Sequence, residues 1–168
     1  MPHRSTFLRR LLVTLALLCT APVAQASTDE ARGEAHNEHT VRQAFDAWSA
    51  GTGHVFDLFA PDIRWTIAGS GSFTGTFIGK DAFQTRAAAP LVDRLAAPLK
   101  PLVHHVWTAD DRVIVRFDAS STTTSGAPYS NQYVWILRFD KGRIVEGEAF
   151  LDMAAYREVV DNNEPVAR

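Results

Sequence analysis

Hydrophobic and polar positions over residues 37–50 follow the period of a helix. Four apolar residues share one helical face because they are spaced i, i+3, i+4 and i+7: Val41, Ala44, Phe45 and Trp48. Asn37 is a suitable N-cap for this helix, and Gly51 follows it as a stop signal. The polar segment before it, residues 27–36, has few apolar residues to bury and is predicted to be a disordered linker.

After this helix the periodicity becomes mainly that of β-strands. The stretch HVFDLFAPD predicts a second, short helix that closes before Pro61. Gly69-Ser70-Gly71 then separates two strand patterns and predicts a hairpin, and a helical pattern follows over 80–96, kinked or broken at Pro90. A helix is predicted to close the domain from Met153, after strands at about 99–108, 112–122, 130–140 and 143–152. This order predicts an α+β fold in which helices cover one face of a curved antiparallel sheet.

The strand pattern over 112–121 carries charges on one of its faces. Its odd positions are apolar, whereas Arg116 and Asp118 occupy even positions two residues apart and therefore share a face. On the last predicted strand four residues also share a face: Glu146, Glu148, Phe150 and Asp152. Two hypotheses stay open: the charges form ordinary ion pairs between neighbouring strands, or they lie in a covered pocket with a chemical role.

Residues 1–26 have the features of a secretory signal peptide. Arg4, Arg9 and Arg10 form a positive region, and the apolar run LLVTLALL that follows is too short to cross a bilayer. Ala24 and Ala26 are small residues at the positions that signal cleavage requires. We therefore expect cleavage after Ala26, and a mature protein in the periplasm or outside the cell. The rest fits one domain, predicted over 37–161 with a tail at 162–168.

Composition excludes several classes of function. The 17 Lys and Arg residues are outnumbered by 19 Asp and Glu, and loss of the signal arginines makes the chain more acidic, which is unfavourable for a nucleic-acid-binding protein. The single cysteine, Cys19, leaves with the signal peptide, so no disulfide is expected. The histidines show no metal-ligand spacing, and no glycine-rich phosphate loop is present. We therefore predict no cofactor, no metal, no nucleic acid, and no membrane contact after signal removal.

Three strings of the chain resemble SnoaL-like proteins of the nuclear transport factor 2-like superfamily. They are LFAPDIRWTI, the pattern G-x-P-Y-x-N-x-Y from Gly126 to Tyr133, and DKGRIVEGEAFLD. The resemblance covers residues 37–160 and implies a cone-shaped α+β fold whose helices and curved sheet enclose a cavity. That superfamily includes ketosteroid isomerases, polyketide cyclases and limonene epoxide hydrolase, and also many proteins that are not enzymes. The resemblance therefore implies a fold more than a function.

The resemblance also indicates which chemistry the cavity could support. Ketosteroid isomerases need a tyrosine and an aspartate at positions that correspond here to Ala44 and Ile67, so their chemistry is not expected. Limonene epoxide hydrolase carries an Arg-x-Asp pair and a further aspartate, which Arg116-Phe117-Asp118 and Asp152 match. The tyrosine and asparagine that assist in that enzyme correspond to Trp65 and Ile67, which do not replace them.

By this resemblance the candidate catalytic residues are Arg116, Asp118 and Asp152. Two carboxylates beside one guanidinium in a low-dielectric cavity would share a proton, so Asp152 would act as a base towards water and Asp118 as a neutral acid. The residues expected to contact the ligand are Trp65, Ile67, Asn131, Tyr133, Trp135, Glu148 and Phe150. Two hypotheses follow: a cofactor-free hydrolase or isomerase of a small apolar molecule, or a non-catalytic protein that binds such a molecule.

The orientation of the charged strand also bears on oligomeric state. If Arg116 and Asp118 point into the cavity, then Val113, Val115 and Phe117 point away from the helices and form an exposed apolar surface. A twofold partner is the simplest cover for such a surface, so we expect a homodimer formed through the sheet.

Overall fold

In this computed structural model the chain is described from residue 22 to residue 166. Most of the predicted signal peptide, residues 1–21, lies outside the described residues, and so does the end of the predicted tail. Among the described helices, none has the length and apolar character needed to cross a membrane.

The first helix, α1, spans Pro22–Ala50 and ends where the sequence predicts. Gly51 follows it with φ +73, a left-handed conformation that glycine adopts without steric penalty. Its start differs from the prediction, because residues 27–36 are helical and do not form a disordered linker. Half of that segment consists of good helix formers (Ala, Glu and Arg), and one ion pair at helical spacing supports it, between Arg32 and Asp29 at 3.1 Å.

Six strands and two further helical segments follow α1. A 3₁₀ turn at Val55–Leu58 leads into the first strand. The strands are β1 (Phe59–Ile67), β2 (Gly75–Ile78), β3 (Lys100–Ala109), β4 (Arg112–Thr122), β5 (Pro128–Asp140) and β6 (Arg143–Leu151). Between β2 and β3, the continuous helical segment α2 is α-helical at Lys80–Ala82, π-helical at Phe83–Ala88 and α-helical again at Ala89–Val92. The last helix, α3, spans Met153–Asn162.

The strands form one sheet in the order β2-β1-β6-β5-β4-β3. Neighbours are antiparallel, with one exception: β1 lies parallel to β6, with Trp65 opposite Gly147. The curved sheet is therefore mixed, and the prediction of a purely antiparallel sheet needs correction at this junction. The parallel pair arises because the β1–β2 hairpin, formed early in the chain, joins the sheet beside the last strand.

The core lies between α1 and the concave face of the sheet. Phe45 of α1 meets the ring of Phe117 on β4 at 5.0 Å between centroids, and Trp48 stacks on Trp135 of β5 at 5.8 Å. Four successive odd positions of β4 face this core and are buried: Val113, Val115, Phe117 and Ala119. The apolar face of β4 is thus covered by a helix of the same chain.

The other side of the sheet, called the outer face below, is turned away from the helices. Alternation and strand register place apolar and charged residues there together: Leu102, Trp107, Ile114, Arg116, Asp118, Val134, Ile136, Arg138, Glu146, Glu148 and Phe150. Several of the charges are paired, as in the 3.0 Å contact between Arg138 Nε and Glu146 Oε2. The outer face is therefore a partly apolar surface laced with ion pairs.

Candidate functional site

An apolar cavity of about 70 Å³ lies between α2, α3 and the inner face of the sheet. Water needs roughly 10–15 Å³ by this measure, so the space equals that of about five waters. Four residues that the sequence predicted as ligand contacts line it: Trp65, Ile67, Tyr133 and Trp135. Among the described residues, no carboxylate, histidine, lysine or arginine lines this cavity. The wall therefore favours an apolar occupant.

The π-helical part of α2 forms one wall of the cavity. The Ala89 N–H bonds to the Gln84 carbonyl five residues back, which widens the turn. Phe83, Ala87 and Ala88 all contribute to the cavity wall. Single π turns inside α-helices are frequent at functional sites. Small alanine side chains at this turn leave space that larger residues would fill.

Close packing of Trp65 against β6 shapes the opposite wall. The Trp65 ring lies directly over Gly147, where an added Cβ would overlap ring carbons. Phe83 of α2 meets the same ring edge-to-face, at 5.1 Å between centroids. Gly147 thus lets the indole lie flat on the neighbouring strand and form part of the cavity wall.

Three tyrosines lie at or behind one part of the cavity wall. Tyr133 and Tyr156 line the cavity, and the Tyr133 hydroxyl lies 2.9 Å from that of Tyr129. Asn131 Nδ2 donates to the Tyr129 oxygen at 3.0 Å. Burial raises the pKa of Tyr129 and Tyr156 above the ordinary value for tyrosine and raises that of Tyr133 well above it. All three phenols are therefore neutral, and each carries a proton it can donate.

Asn131 does not line the cavity wall, but its side chain makes hydrogen bonds that link the strands beside the cavity. Its side-chain oxygen accepts from the Asp152 N–H at 3.0 Å, and its Nδ2 donates to the Asp152 carbonyl at 2.9 Å. These bonds tie β5 to the end of β6 and orient Tyr129. Asn131 was predicted to contact the ligand, but it does not line this cavity; its side chain instead positions Tyr129 and the end of β6.

A larger groove adjoins the cavity on the outside of α2. It has a volume of about 710 Å³ and shares Phe83, Ala88 and Val92 with the cavity wall. His54 lies in this groove with its ring between Trp48 at 4.1 Å and Phe56 at 3.8 Å. The groove therefore lies against the outside of the wall that α2 forms.

His54 is fixed by a reciprocal cap on the 3₁₀ turn. Its Nδ1 accepts from the Phe56 N–H at 3.3 Å, and the Asp57 carboxylate accepts from the His54 N–H at 2.9 Å. Burial lowers the pKa of His54 to about 4, against the opposing effect of Asp57. The imidazole is therefore neutral at physiological pH, with Nδ1 as acceptor and the proton on Nε2.

The prediction that Arg116 and Asp118 point into the cavity is wrong. Both lie on the outer face, because the apolar side chains between them, such as Phe117, occupy the core. Arg116 Nη1 lies 2.6 Å from Asp118 Oδ1, and His104 Nε2 lies 2.9 Å from Asp118 Oδ2. Hydrogen bonds from Arg116 and His104 lower the pKa of Asp118, so this carboxyl is ionised at neutral pH and cannot be the neutral acid of a shared-proton pair.

Asp152 also lies outside the cavity. It caps α3: its carboxylate accepts from the N–H groups of Ala154 at 2.8 Å and Ala155 at 3.2 Å. Asp118 and Asp152 do line one open surface pocket together, of about 410 Å³, but Arg116 is not among its lining residues. The predicted arrangement of Arg116 between two buried aspartates is therefore not formed.

The last two predicted ligand contacts, Glu148 and Phe150, lie on the outer face as well. Both side chains are exposed and alternate with the buried Gly147 and Ala149, so they point away from the cavity. It is Ala149 and Leu151 that β6 contributes to the cavity wall. The prediction from the sequence therefore interchanged the two faces of β6: the residues it placed in the cavity lie on the outer face.

Comparison with known families identifies the fold. A family model described as the SnoaL-like domain matches residues 41–147, which is more than half of the chain. The chain belongs to the SnoaL-like domain family. The match runs from the middle of α1 to β6 and includes both the tryptophans and the π turn that line the cavity. Among curated proteins, no sequence matches this SnoaL-like chain.

Solved structures share the architecture of this SnoaL-like domain. Bal32a, from a soil-derived mobile gene cassette, is 23% identical, with a TM-score of 0.62 over 76% of this chain and 98% of its own. An NTF2-like protein of unknown function from Burkholderia pseudomallei is 24% identical, with a TM-score of 0.62 over 74% and 96%. TerC, co-crystallised with polyporic acid, is 18% identical, with a TM-score of 0.57 over 75% and 99%. At these identities the similarity shows the fold alone.

Sequence reasoning missed Tyr156, which lines the cavity of this SnoaL-like domain, and Tyr129, which contacts Tyr133 from behind. Tyr129 stands two residues before Asn131 and four before Tyr133, so strand alternation places all three on one face. That signal was available in the sequence. Tyr156 lies in the first turn of α3, and only the packing of this helix against the sheet brings it to the cavity.

Proposed function

We propose that this protein binds a small, largely apolar molecule in the cavity between α2, α3 and the sheet. The observation that carries the proposal is the wall itself, which is formed almost entirely by aromatic and aliphatic side chains. The cavity volume of about 70 Å³ is about half that of an apolar cavity of about 150 Å³ that takes one benzene molecule. A ring would therefore be enclosed only in part by this cavity, and the ligand would extend beyond it.

A larger ligand would extend past the π turn into the groove beside His54. The groove and the cavity share the residues of α2 that separate them, so a ring in the cavity would have its substituents at Phe83, Ala88 and Val92. The groove volume of about 710 Å³ lies within the range usual for ligand sites. The proposal thus covers ligands with one buried ring and a more exposed remainder.

Binding without catalysis is favoured over the hydrolase or isomerase hypothesis. The acid and base proposed from the sequence, Asp118 and Asp152, lie on the other side of the sheet from the cavity. Among the described residues, the cavity wall offers only neutral phenols as titratable groups. General acid–base catalysis near neutral pH works best with groups whose pKa lies near that pH, and these phenols do not meet that condition.

A cavity-filling variant tests the proposal. Ala87 is buried in the cavity wall, so Ala87→Leu should occupy the ligand space. We expect toluene to raise the unfolding temperature and change the emission of Trp65 and Trp135 in the natural protein, but not in Ala87→Leu. Ala154→Leu makes the same change at an exposed site on α3 and should bind toluene normally. Unchanged toluene binding by Ala87→Leu would show that the ligand lies elsewhere.

We also propose that the protein acts after export, in the periplasm or outside the cell. Support comes from the sequence: basic residues, an apolar run and Ala24-Gln25-Ala26 precede Ser27 in the order of a signal peptide. N-terminal sequencing of the exported protein should find Ser27 first. A lipid-bearing N-terminus at Cys19, or a retained Met1, would contradict the proposal.

A further inference from the structure

His54 brings an imidazole ring to the groove outside α2. Two aromatic rings pack against it, with Trp48 at 4.1 Å and Phe56 at 3.8 Å between centroids. Its Nδ1 already accepts from the Phe56 N–H at 3.3 Å. The remaining polar atom of the ring is therefore Nε2.

The Nε2–H group is a donor that no described residue satisfies. The ring is neutral at physiological pH, and because Nδ1 is an acceptor the proton lies on Nε2. Within the described part of the chain, the Tyr156 hydroxyl is the one fully buried side-chain nitrogen or oxygen without a partner, so Nε2 is not fully buried. Since His54 lines the groove, its free N–H reaches the groove surface.

This donor is held in place before any ligand binds. The two ring contacts and the reciprocal cap with Asp57 fix the His54 side chain. The other uncharged polar residues of the groove, Gln84 and Thr85, are exposed, and the Thr85 hydroxyl already donates to a backbone carbonyl at 2.7 Å. A donor that is already oriented loses less conformational entropy when it binds a ligand.

The charge around the groove favours a neutral acceptor over an anionic one. Among the described residues that line it, Asp93 carries the one charge, and no lysine or arginine lines it. A ligand carboxylate or phosphate would therefore lose water beside a carboxylate, with no cation to balance it. A neutral oxygen has no such cost and needs only one donor.

Building on the proposed function, we propose that His54 Nε2–H binds a neutral hydrogen-bond acceptor on the part of the ligand that lies outside the cavity. Phe83 lines both the cavity and the groove, and it contacts Phe56 at 4.5 Å, which in turn contacts the imidazole at 3.8 Å. The imidazole is thus at most about 8 Å from a ring of the cavity wall. The ligand class is an apolar ring with an ether, ester or alcohol oxygen on a short side chain.

Ligand pairs of matched size test the inference. Phenylalkyl methyl ethers with two, three or four carbons between ring and oxygen are each compared with the alkylbenzene that has a methylene in place of the oxygen. His54→Phe keeps an aromatic ring but removes the N–H. By tryptophan fluorescence titration, we expect it to weaken binding of at least one ether by roughly three- to tenfold, the loss typical of one neutral hydrogen bond, and to leave the matching hydrocarbon unchanged. His39→Phe, at an exposed site on α1, should bind both as the natural protein does.

Nuclear magnetic resonance of the natural protein gives a check that needs no substitution. With nitrogen-15-labelled histidine, the Nε2–H signal of His54 should shift and exchange more slowly with water when that ether is added. The matching hydrocarbon should leave its exchange with water unchanged. A signal that responds alike to both ligands, or to neither, would overturn the inference.

The outcomes also separate the inference from the proposed function. Binding of ether and hydrocarbon that falls equally in His54→Phe, or falls for neither, would overturn the acceptor site but leave the apolar cavity as a binding site. Hydrocarbons that bind where the ethers fail would have the same meaning. Binding of no ligand of either series by the natural protein would overturn the proposed function, and the inference with it.

Discussion

The buried imidazole of His54 makes stability depend on pH in a defined direction. Its pKa in the folded protein is about 4, whereas an unperturbed histidine titrates near 6.5. Between these two values the unfolded chain binds a proton that the folded protein does not. The free energy of unfolding therefore falls as the pH is lowered through this window, by at most about 1.4 kcal/mol per pH unit. Over the whole window the loss approaches about 3 kcal/mol.

Replacement of His54 by asparagine isolates this contribution. Asparagine is a good N-cap, so His54→Asn keeps an acceptor for the Phe56 N–H but has no group that titrates in this range. The variant loses the ring contacts with Trp48 and Phe56, which should lower stability at neutral pH by about 1–2 kcal/mol. Because the natural protein loses about 3 kcal/mol across the window, we expect the two stabilities to become equal between about pH 5 and pH 6 and the variant to be the more stable protein near pH 4.

Denaturant unfolding at several pH values, followed by circular dichroism, measures the difference directly. His39 lies exposed on α1, so His39→Asn makes the same chemical change without removing a buried ring. That control should run parallel to the natural protein at every pH. Parallel curves for His54→Asn as well would show that the imidazole titrates alike in the folded and unfolded states, and would refute the reasoning.

Three further predictions concern other parts of the fold. Gly147→Ala should destabilise the protein by about 1–3 kcal/mol and alter its near-ultraviolet circular dichroism, because the added Cβ overlaps the Trp65 ring; an unchanged spectrum would contradict this. Asp152→Ala should lose about 1 kcal/mol by removing the cap of α3, whereas Asp152→Asn should lose little; equal losses would exclude capping as the reason. Sedimentation should find a dimer that Trp107→Glu, on the outer face, dissociates; a natural monomer at micromolar concentration would reject the dimer.

The apolar residues that could form a dimer interface lie on the outer face of the sheet, and they differ from those that the sequence pattern indicates. Val113, Val115 and Phe117 do not need a partner, because α1 covers them. The outer face has apolar residues of its own, of which Leu102 is 64% and Trp107 50% exposed. Exposed apolar side chains grouped on one face are typical of protein interfaces.

The helices and strands could be predicted from the sequence because their signals are local. The apolar face around Phe45 and the stop at Gly51 place the end of α1, and the alternating patterns place the four long strands to within about two residues. Which side of β4 faces the core could also have been decided physically. Burial of a side chain such as Val115 or Phe117 contributes roughly 1.5–3 kcal/mol, whereas an arginine and an aspartate oppose burial.

The candidate site was predictable only where strand alternation determines it. Trp65, Tyr133 and Trp135 line the cavity because each lies on the apolar face of its strand, and whether they contact a ligand stays a prediction. Tyr156 and Ala87 reach the cavity through the packing of helices, which no local pattern specifies. The family resemblance led to Asp118 and Asp152 because sequence spacing matched, but spacing along a strand does not distinguish its two faces.

The parallel pairing of β1 with β6 sets the order in which the chain can complete its fold. Among the described strands, β6 alone joins the β1–β2 hairpin to the rest of the sheet. During synthesis from the N-terminus, the β1–β2 hairpin therefore cannot join the sheet until β6, which ends at Leu151, has been made and can pair with β1. Up to that moment β1 and β5 each have an open edge, which invites pairing with other chains. Completion of this fold is thus deferred to the end of synthesis, and truncation before β6 should yield aggregates.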